Sequence, residues 1–191
     1  MEQIEKKSTF FLRNLAKGLL WLAVIVAVFI FTKHNVNLEL LHRFQPFFDR
    51  TGLILLIYAL SEFVIGIIPP EIFMIWALKS GKLSVYINWV LLLTLISYLA
   101  GFAAFLFGRY LHNTQLYRYL HNRYLIKAEP LLQQFGLYLI LVSALTPIPF
   151  SGVSMLVGSV HYPVDKYIYW SLSRFLKFAL SAYVIWEANM V

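Results

Sequence analysis

The sequence predicts an all-α integral membrane protein. It is expected to be an inverted repeat, with two proline-broken re-entrant hairpins facing each other beside about three full transmembrane helices. Three observations lead there. Of the 191 residues 60% are apolar and only 13% charged, against about 25% charged in an ordinary soluble domain. Several apolar runs approach the roughly 20 residues that cross a hydrocarbon layer. Two of the runs are broken in the middle by closely spaced prolines, at "GIIPPEIFM" and "LTPIPFSG". Paired broken segments in corresponding positions of two halves point to an inverted repeat with its site between the breaks.

The chain opens on a basic stretch, 1–17, with Lys6, Lys7, Arg13 and Lys17, followed by "GLLWLAVIVAVFIFT" at 18–32. That run lacks the small-x-small pattern of a signal-peptide cleavage site and reads as an uncleaved first transmembrane helix with a cytoplasmic N-terminus. Residues 33–50 mix polar and aromatic groups and suit the outer interface. The first broken segment is 52–80, with Pro69 and Pro70 at the break. Proline removes a backbone donor and clashes with the preceding turn, so a helix does not run through such a pair. An uninterrupted apolar helix is predicted over 85–109, returning the chain to the cytoplasm. Arg109, Arg118, Arg123 and Lys127 then lie inside, as the positive-inside rule requires, and 110–134 reads as an interfacial amphipathic helix. The second broken segment, 136–160, carries Pro147 and Pro149, and a last helix is predicted over 166–186. On this topology the two broken segments enter from opposite faces as hairpins. Broken backbone at membrane depth is tolerated where protein or water surrounds it. A full span is the alternative for either segment.

The composition also excludes classes of function. Cysteine is absent, which removes disulfides and thiol chemistry. The net charge of +7 suits cytoplasmic loops beside anionic headgroups, and no nucleic-acid partner is expected, because no reader motif accompanies the charge. No phosphate-binding loop, dinucleotide fingerprint, H-E-x-x-H or G-x-S-x-G is present, and Ser151 and Ser154 have no base at a telling spacing. No enzyme activity, cofactor or metal is expected.

Four charged residues remain as candidates for a lipid or proton pathway. Glu62 lies deep in the first broken segment, and an intramembrane acid is a functional candidate by default. Glu71 directly follows the prolines; a helix beginning at Pro70 would place it against the positive end of the helix dipole, which is a sufficient structural reason for it. On the last helix Ser171, Arg174, Phe178 and Ser181 share a face with Lys177 beside it. Arg174 is the expected partner of Glu62 or of an anionic headgroup, with snorkelling to the interface as the alternative for both cations. Thr94, Ser97, Gly101, Ala104 and Gly108 form a small-residue stripe on helix 85–109, read as a packing surface.

Taken together, "EFVIGIIPPEIFMIWALKSG" (62–81), "GFAAFLFGRYL" (101–111), "LTPIPFSGVSMLVGS" and "SRFLKFALSA" resemble the DedA/VTT family, also called SNARE-associated Golgi proteins, and above all its short YqaA-like branch. The resemblance spans roughly 52–186, a single membrane domain after the first helix. It implies facing re-entrant hairpins, a bacterial inner-membrane location and transport of undecaprenyl phosphate or a phospholipid between leaflets, often driven by the proton-motive force. Glu62 matches the family's first-hairpin acid and Glu71 its position after the proline break. Typical members carry arginines three residues either side of the second-hairpin proline. Here those positions are Ala144 and Phe150, counted from Pro147. The YqaA-like branch is similar in having an arginine in the last helix, matched by Arg174, which is expected to supply the missing cation. The leading expectation is a lipid translocase in which Glu62 and Arg174 line a hydrophilic path and Glu62 exchanges a proton. The alternative is a non-transporting membrane protein that scaffolds envelope assembly, with Glu62 and Arg174 as a buried structural pair. The lipid and the oligomeric state are not encoded in these patterns.

Overall fold

A computed structural model describes residues 20, 24, 27, 50–64, 66, 68–111, 129–146 and 148–190. The basic N-terminus, nearly all of the expected first helix, Pro147 and most of the basic 110–134 segment lie outside the described residues. Among those described, the chain is helical throughout.

The first broken segment is two helices. α1, Thr51–Phe63, buries Ile54, Tyr58 and Glu62, a stripe at four-residue spacing that defines one helical face. The chain then turns. Gly66 takes φ 69, the left-handed region that glycine enters without a Cβ penalty, and its N–H donates to the Ser61 carbonyl at 2.7 Å. The Ser61 hydroxyl accepts from the Ile68 N–H at 3.0 Å, so one serine satisfies two donors freed by the break. α2, Pro70–Ala77, starts with Pro70 at its first position and Pro69 extended before it (φ −57, ψ 129). That is the conformation a residue preceding proline is pushed into. Glu71 lies in the first turn of α2, as the sequence leads one to expect.

A short 3-10 turn, Leu78–Ser80, leads to α3, Leu83–Leu111. Its 29 residues have a mean hydropathy of 2.3 over the best window, and it is the one helix among the described residues long and apolar enough to cross a membrane. α4, Glu129–Leu145, and α5, Phe150–Ser159, form the second broken segment, with Pro149 capping α5 (φ −57). α5 ends in a Schellman motif: the His161 N–H donates to Gly158 O and the Tyr162 N–H to Val157 O, with His161 in the left-handed region at φ 57.

The expected single last helix is two. α6, Val164–Ser171, and α7, Ser173–Met190, are separated at Leu172. The Ser171 and Ser173 hydroxyls donate to the Ile168 and Trp170 carbonyls. Back-bonding of this kind competes with the helical ladder and bends the helix. α7 has 18 residues but carries Arg174, Lys177 and Glu187, so it lacks the apolarity of α3.

Two cores result. One joins α1, α2, the first half of α3 and α7 around Tyr58, Met74, Leu93 and Phe178. The other joins the second half of α3 to α4, α5 and α6 around Phe105, Ile140, Phe150 and Tyr167. α3 runs through both, and its middle turn, Ser97 to Gly101, lies between them. The expected packing stripe is fully buried. A Cβ on Gly108 would fall on the Met155 backbone of α5, and one on Gly158 of α5 on the Phe105 backbone of α3. These reciprocal glycines bring the two backbones together, as small residues do between membrane helices.

Candidate functional site

The face of α1 that packs inward ends at Glu62, which is 1% exposed. Arg174, the second residue of α7, meets it there: Nη2 lies 2.8 Å from Glu62 Oε2. A third helix completes the contact. The Ser97 hydroxyl of α3 donates to Glu62 Oε2 at 2.6 Å and accepts from Arg174 Nε at 2.5 Å. A fourth helix reaches the same residue through its backbone, where the Ser151 hydroxyl of α5 donates to the Glu62 carbonyl. The guanidinium lies over the Phe150 ring, 4.4 Å from its centroid, and 5.3 Å from that of Phe178. Arg174 is thus held by a carboxylate, a hydroxyl and two ring faces, each of which favours a delocalised planar cation.

A second ion pair lies one turn along. Lys177 Nζ is 3.1 Å from Glu71 Oε1, with both side chains largely buried. Glu71 therefore serves its helix start and also neutralises a cation of α7. Buried ions are costly unless paired and hydrogen-bonded. Among the described residues, every buried side-chain nitrogen or oxygen has a hydrogen-bond partner.

The two pairs line one cavity of about 250 Å³. The first break gives it Gly66, Pro69 and Pro70, the second gives it Thr146, Ile148 and Phe150, and α7 closes it with Arg174 and Lys177. The four charged residues singled out in the sequence are therefore neighbours around a single space between the two breaks. Pro149, the N-cap of α5, is exposed and adjoins this lining, while Pro147 lies outside the described residues.

Of the two positions where an arginine is missing, Ala144 is buried in the second core and Phe150 lies beneath Arg174. α7 thus delivers a cation to the very position where the second broken segment offers a ring. Gly101 makes room for that ring, since a Cβ there would overlap Phe150. Two residues of the site were not legible as such. Ser97 reads as one member of a small-residue stripe, and Ser151 as an isolated hydroxyl without a base. The available signal for Ser97 was a hydroxyl on the buried face of an apolar helix, which needs a polar partner.

Residues 68–187 match the family model of the VTT domain. This is more than half of the chain and takes in both breaks, Glu71, Arg174 and Lys177; Glu62 lies just before it. No curated protein and no solved structure gives a match.

Proposed function

The chain belongs to the VTT-domain family, and from that premise we propose that it is a membrane lipid translocase, flippase- or scramblase-like, moving a phosphate-bearing lipid between leaflets. The family is membrane-associated and commonly linked to lipid transport. The observation that carries the reading is the cavity: two cations and two carboxylates are buried between two broken segments, in a molecule whose α1, α3 and α7 expose mainly apolar side chains. Non-helical backbone and ionisable groups at membrane depth are tolerated where they line a polar path. A headgroup would pass beside Arg174 and Lys177 while its tails stay outside, in contact with α1, α3 and α7. On this reading the broken segments are re-entrant hairpins in a multi-pass protein of the bacterial inner membrane with a cytoplasmic N-terminus. Arg174 in the last helix supports the YqaA-like branch. Undecaprenyl phosphate and a glycerophospholipid both carry the phosphate this reading requires, and a proton on Glu62 would couple movement to the gradient.

The test is headgroup translocation in vesicles reconstituted with purified protein. Wild type is expected to move a fluorescent lipid faster than protein-free vesicles, and Glu62→Gln and Arg174→Ala to lose that activity per folded molecule. Activity unchanged in both variants would remove these residues from the path. The full pairing of Glu62 with Ser97 and Arg174 favours a second reading, a non-transporting scaffold with a structural ion pair. In that case the same substitutions reduce the yield of folded protein, and wild type moves no lipid.

A further inference from the structure

The charges of the cavity are segregated by element. Both carboxylates, Glu62 and Glu71, stand on the first broken segment, at the end of α1 and the start of α2. Both cations, Arg174 and Lys177, stand on α7. The second broken segment contributes Thr146, Ile148 and Phe150 to the lining, none of them charged. The formal charge of the lining is therefore zero, made of an anionic wall and a cationic wall in direct contact. The helix ends follow the same balance: at each break a carbonyl end, of α1 or α4, adjoins an N–H end, of α2 or α5, and such ends carry opposite partial charges.

This arrangement limits what can enter. Any group that comes between α7 and the first broken segment separates Arg174 from Glu62 and Lys177 from Glu71, across 2.8 and 3.1 Å contacts. A simple anion would satisfy α7 and leave two buried carboxylates without cations, the state in which a broken buried pair is most costly. A group carrying both signs satisfies both walls and adds no net charge.

We propose, on the basis of the translocase reading above, that the cavity selects zwitterionic headgroups, a phosphodiester joined to a primary ammonium, over headgroups bearing only negative charge. The phosphate faces Arg174 and Lys177, where the guanidinium fork and the ammonium supply N–H donors. The ammonium faces Glu62 and Glu71, and its three N–H groups match carboxylate acceptors that a quaternary ammonium could not satisfy by hydrogen bonding. Glu71 has a specific part in this. Its pairing with Lys177 is longer and more exposed than the Glu62–Arg174 contact, so Glu71 is the acid that the incoming ammonium reaches with least disruption. Its removal leaves a net positive lining that favours a simple anion.

The experiment uses wild-type protein in vesicles that carry two acyl-labelled lipids with distinguishable fluorophores, one with a phosphoethanolamine headgroup and one with phosphoglycerol. The ethanolamine lipid is expected to cross about tenfold faster or more, a difference of ~1.4 kcal/mol between the two headgroups. Equal rates, or a faster glycerol lipid, would overturn the selectivity and leave the translocase reading standing. Neither lipid moving faster than in protein-free vesicles would overturn both. Entry of soluble phosphoethanolamine with both lipids static would make the ligand a solute and also overturn both. Glu71→Gln is expected to shift the ratio of the two rates toward the glycerol lipid. A ratio measured within the same vesicles does not depend on how much of the variant folds, and an unchanged ratio would overturn the part given to Glu71.

Discussion

Ser97 is a small residue of the site and the one that makes its ion pair directional. Its hydroxyl has one proton to give and gives it to Glu62, which leaves its lone pairs for Arg174 Nε. The arginine thus presents two N–H groups to two different acceptors, Nε to Ser97 and Nη2 to Glu62. A lysine cannot reproduce that fork. Three substitutions follow in order of severity. Arg174→Ala strands a buried carboxylate and is expected to cost about 3–5 kcal/mol. Arg174→Lys keeps the charge, loses the fork and the ring stacking, and should fall between alanine and wild type. Ser97→Ala keeps both ions in contact and unsatisfies one donor, for about 1–3 kcal/mol. Thermal unfolding in detergent reads the ranking, and Ser97→Ala as damaging as Arg174→Ala would mean that the hydroxyl, and not the ion pair, holds the site. A double-mutant cycle adds a comparison of the two pairs. Glu62 with Arg174 is expected to show a larger coupling energy than Glu71 with Lys177, because the first contact is shorter and bridged.

At the scale of elements, α3 and α5 meet backbone to backbone, Gly108 against Met155 and Gly158 against Phe105. Backbone cannot rotate out of the way, so Gly108→Ala and Gly158→Ala must push the helices apart, at a cost of about 1–3 kcal/mol each. Gly101→Ala meets a ring instead, and the Phe150 side chain can turn. Its expected cost to stability is smaller, but the ring it displaces carries Arg174, so its expected effect on translocation is the largest of the three. Unfolding and transport measured on the same three variants test this crossing of effects; a common ranking in both would refute it. These elements also show what the sequence encodes locally. The breaks were legible because proline acts on its own turn, whatever surrounds it. Glu71 at a helix start was legible for the same reason. The division of the last helix at Leu172 was not, because serine back-bonding competes with a ladder of nearly equal energy and leaves no mark on the apolar pattern. Arg174 and Glu62 could be paired in advance, since a buried charge needs an opposite one. Ser97 could not be joined to them, because a small residue at three- and four-residue spacing satisfies helix packing equally well.

On the scale of the whole molecule, polarity is arranged inside out. Glu62, Glu71, Arg174, Thr94 and Ser97 are buried, while Leu91, Leu95 and Leu99 of α3, Leu56 and Leu60 of α1, and Leu176 and Leu180 of α7 are exposed. In water such an arrangement loses on both counts, since ions are desolvated within and apolar surface is left without. In hydrocarbon the outer faces cost nothing, and the paired charges and the hydroxyls are sheltered within. Leu95 decides between the two solvents. It is 47% exposed and lies near the middle of the 29-residue α3, too far from either end for a lysine to reach the interface by stretching. In lipid, Leu95→Lys is expected to cost about 2.5–3.5 kcal/mol of insertion, the range for a charge at a helix centre. Leu83→Lys, at the first position of the same helix and 49% exposed, should cost little because its ammonium lies at the membrane edge. The fraction of each variant that resists alkaline extraction from membranes measures the difference. Loss of integration in Leu95→Lys with Leu83→Lys intact identifies the leucine row of α3 as lipid-facing, whereas equal behaviour of the two would mean that this row is covered by protein.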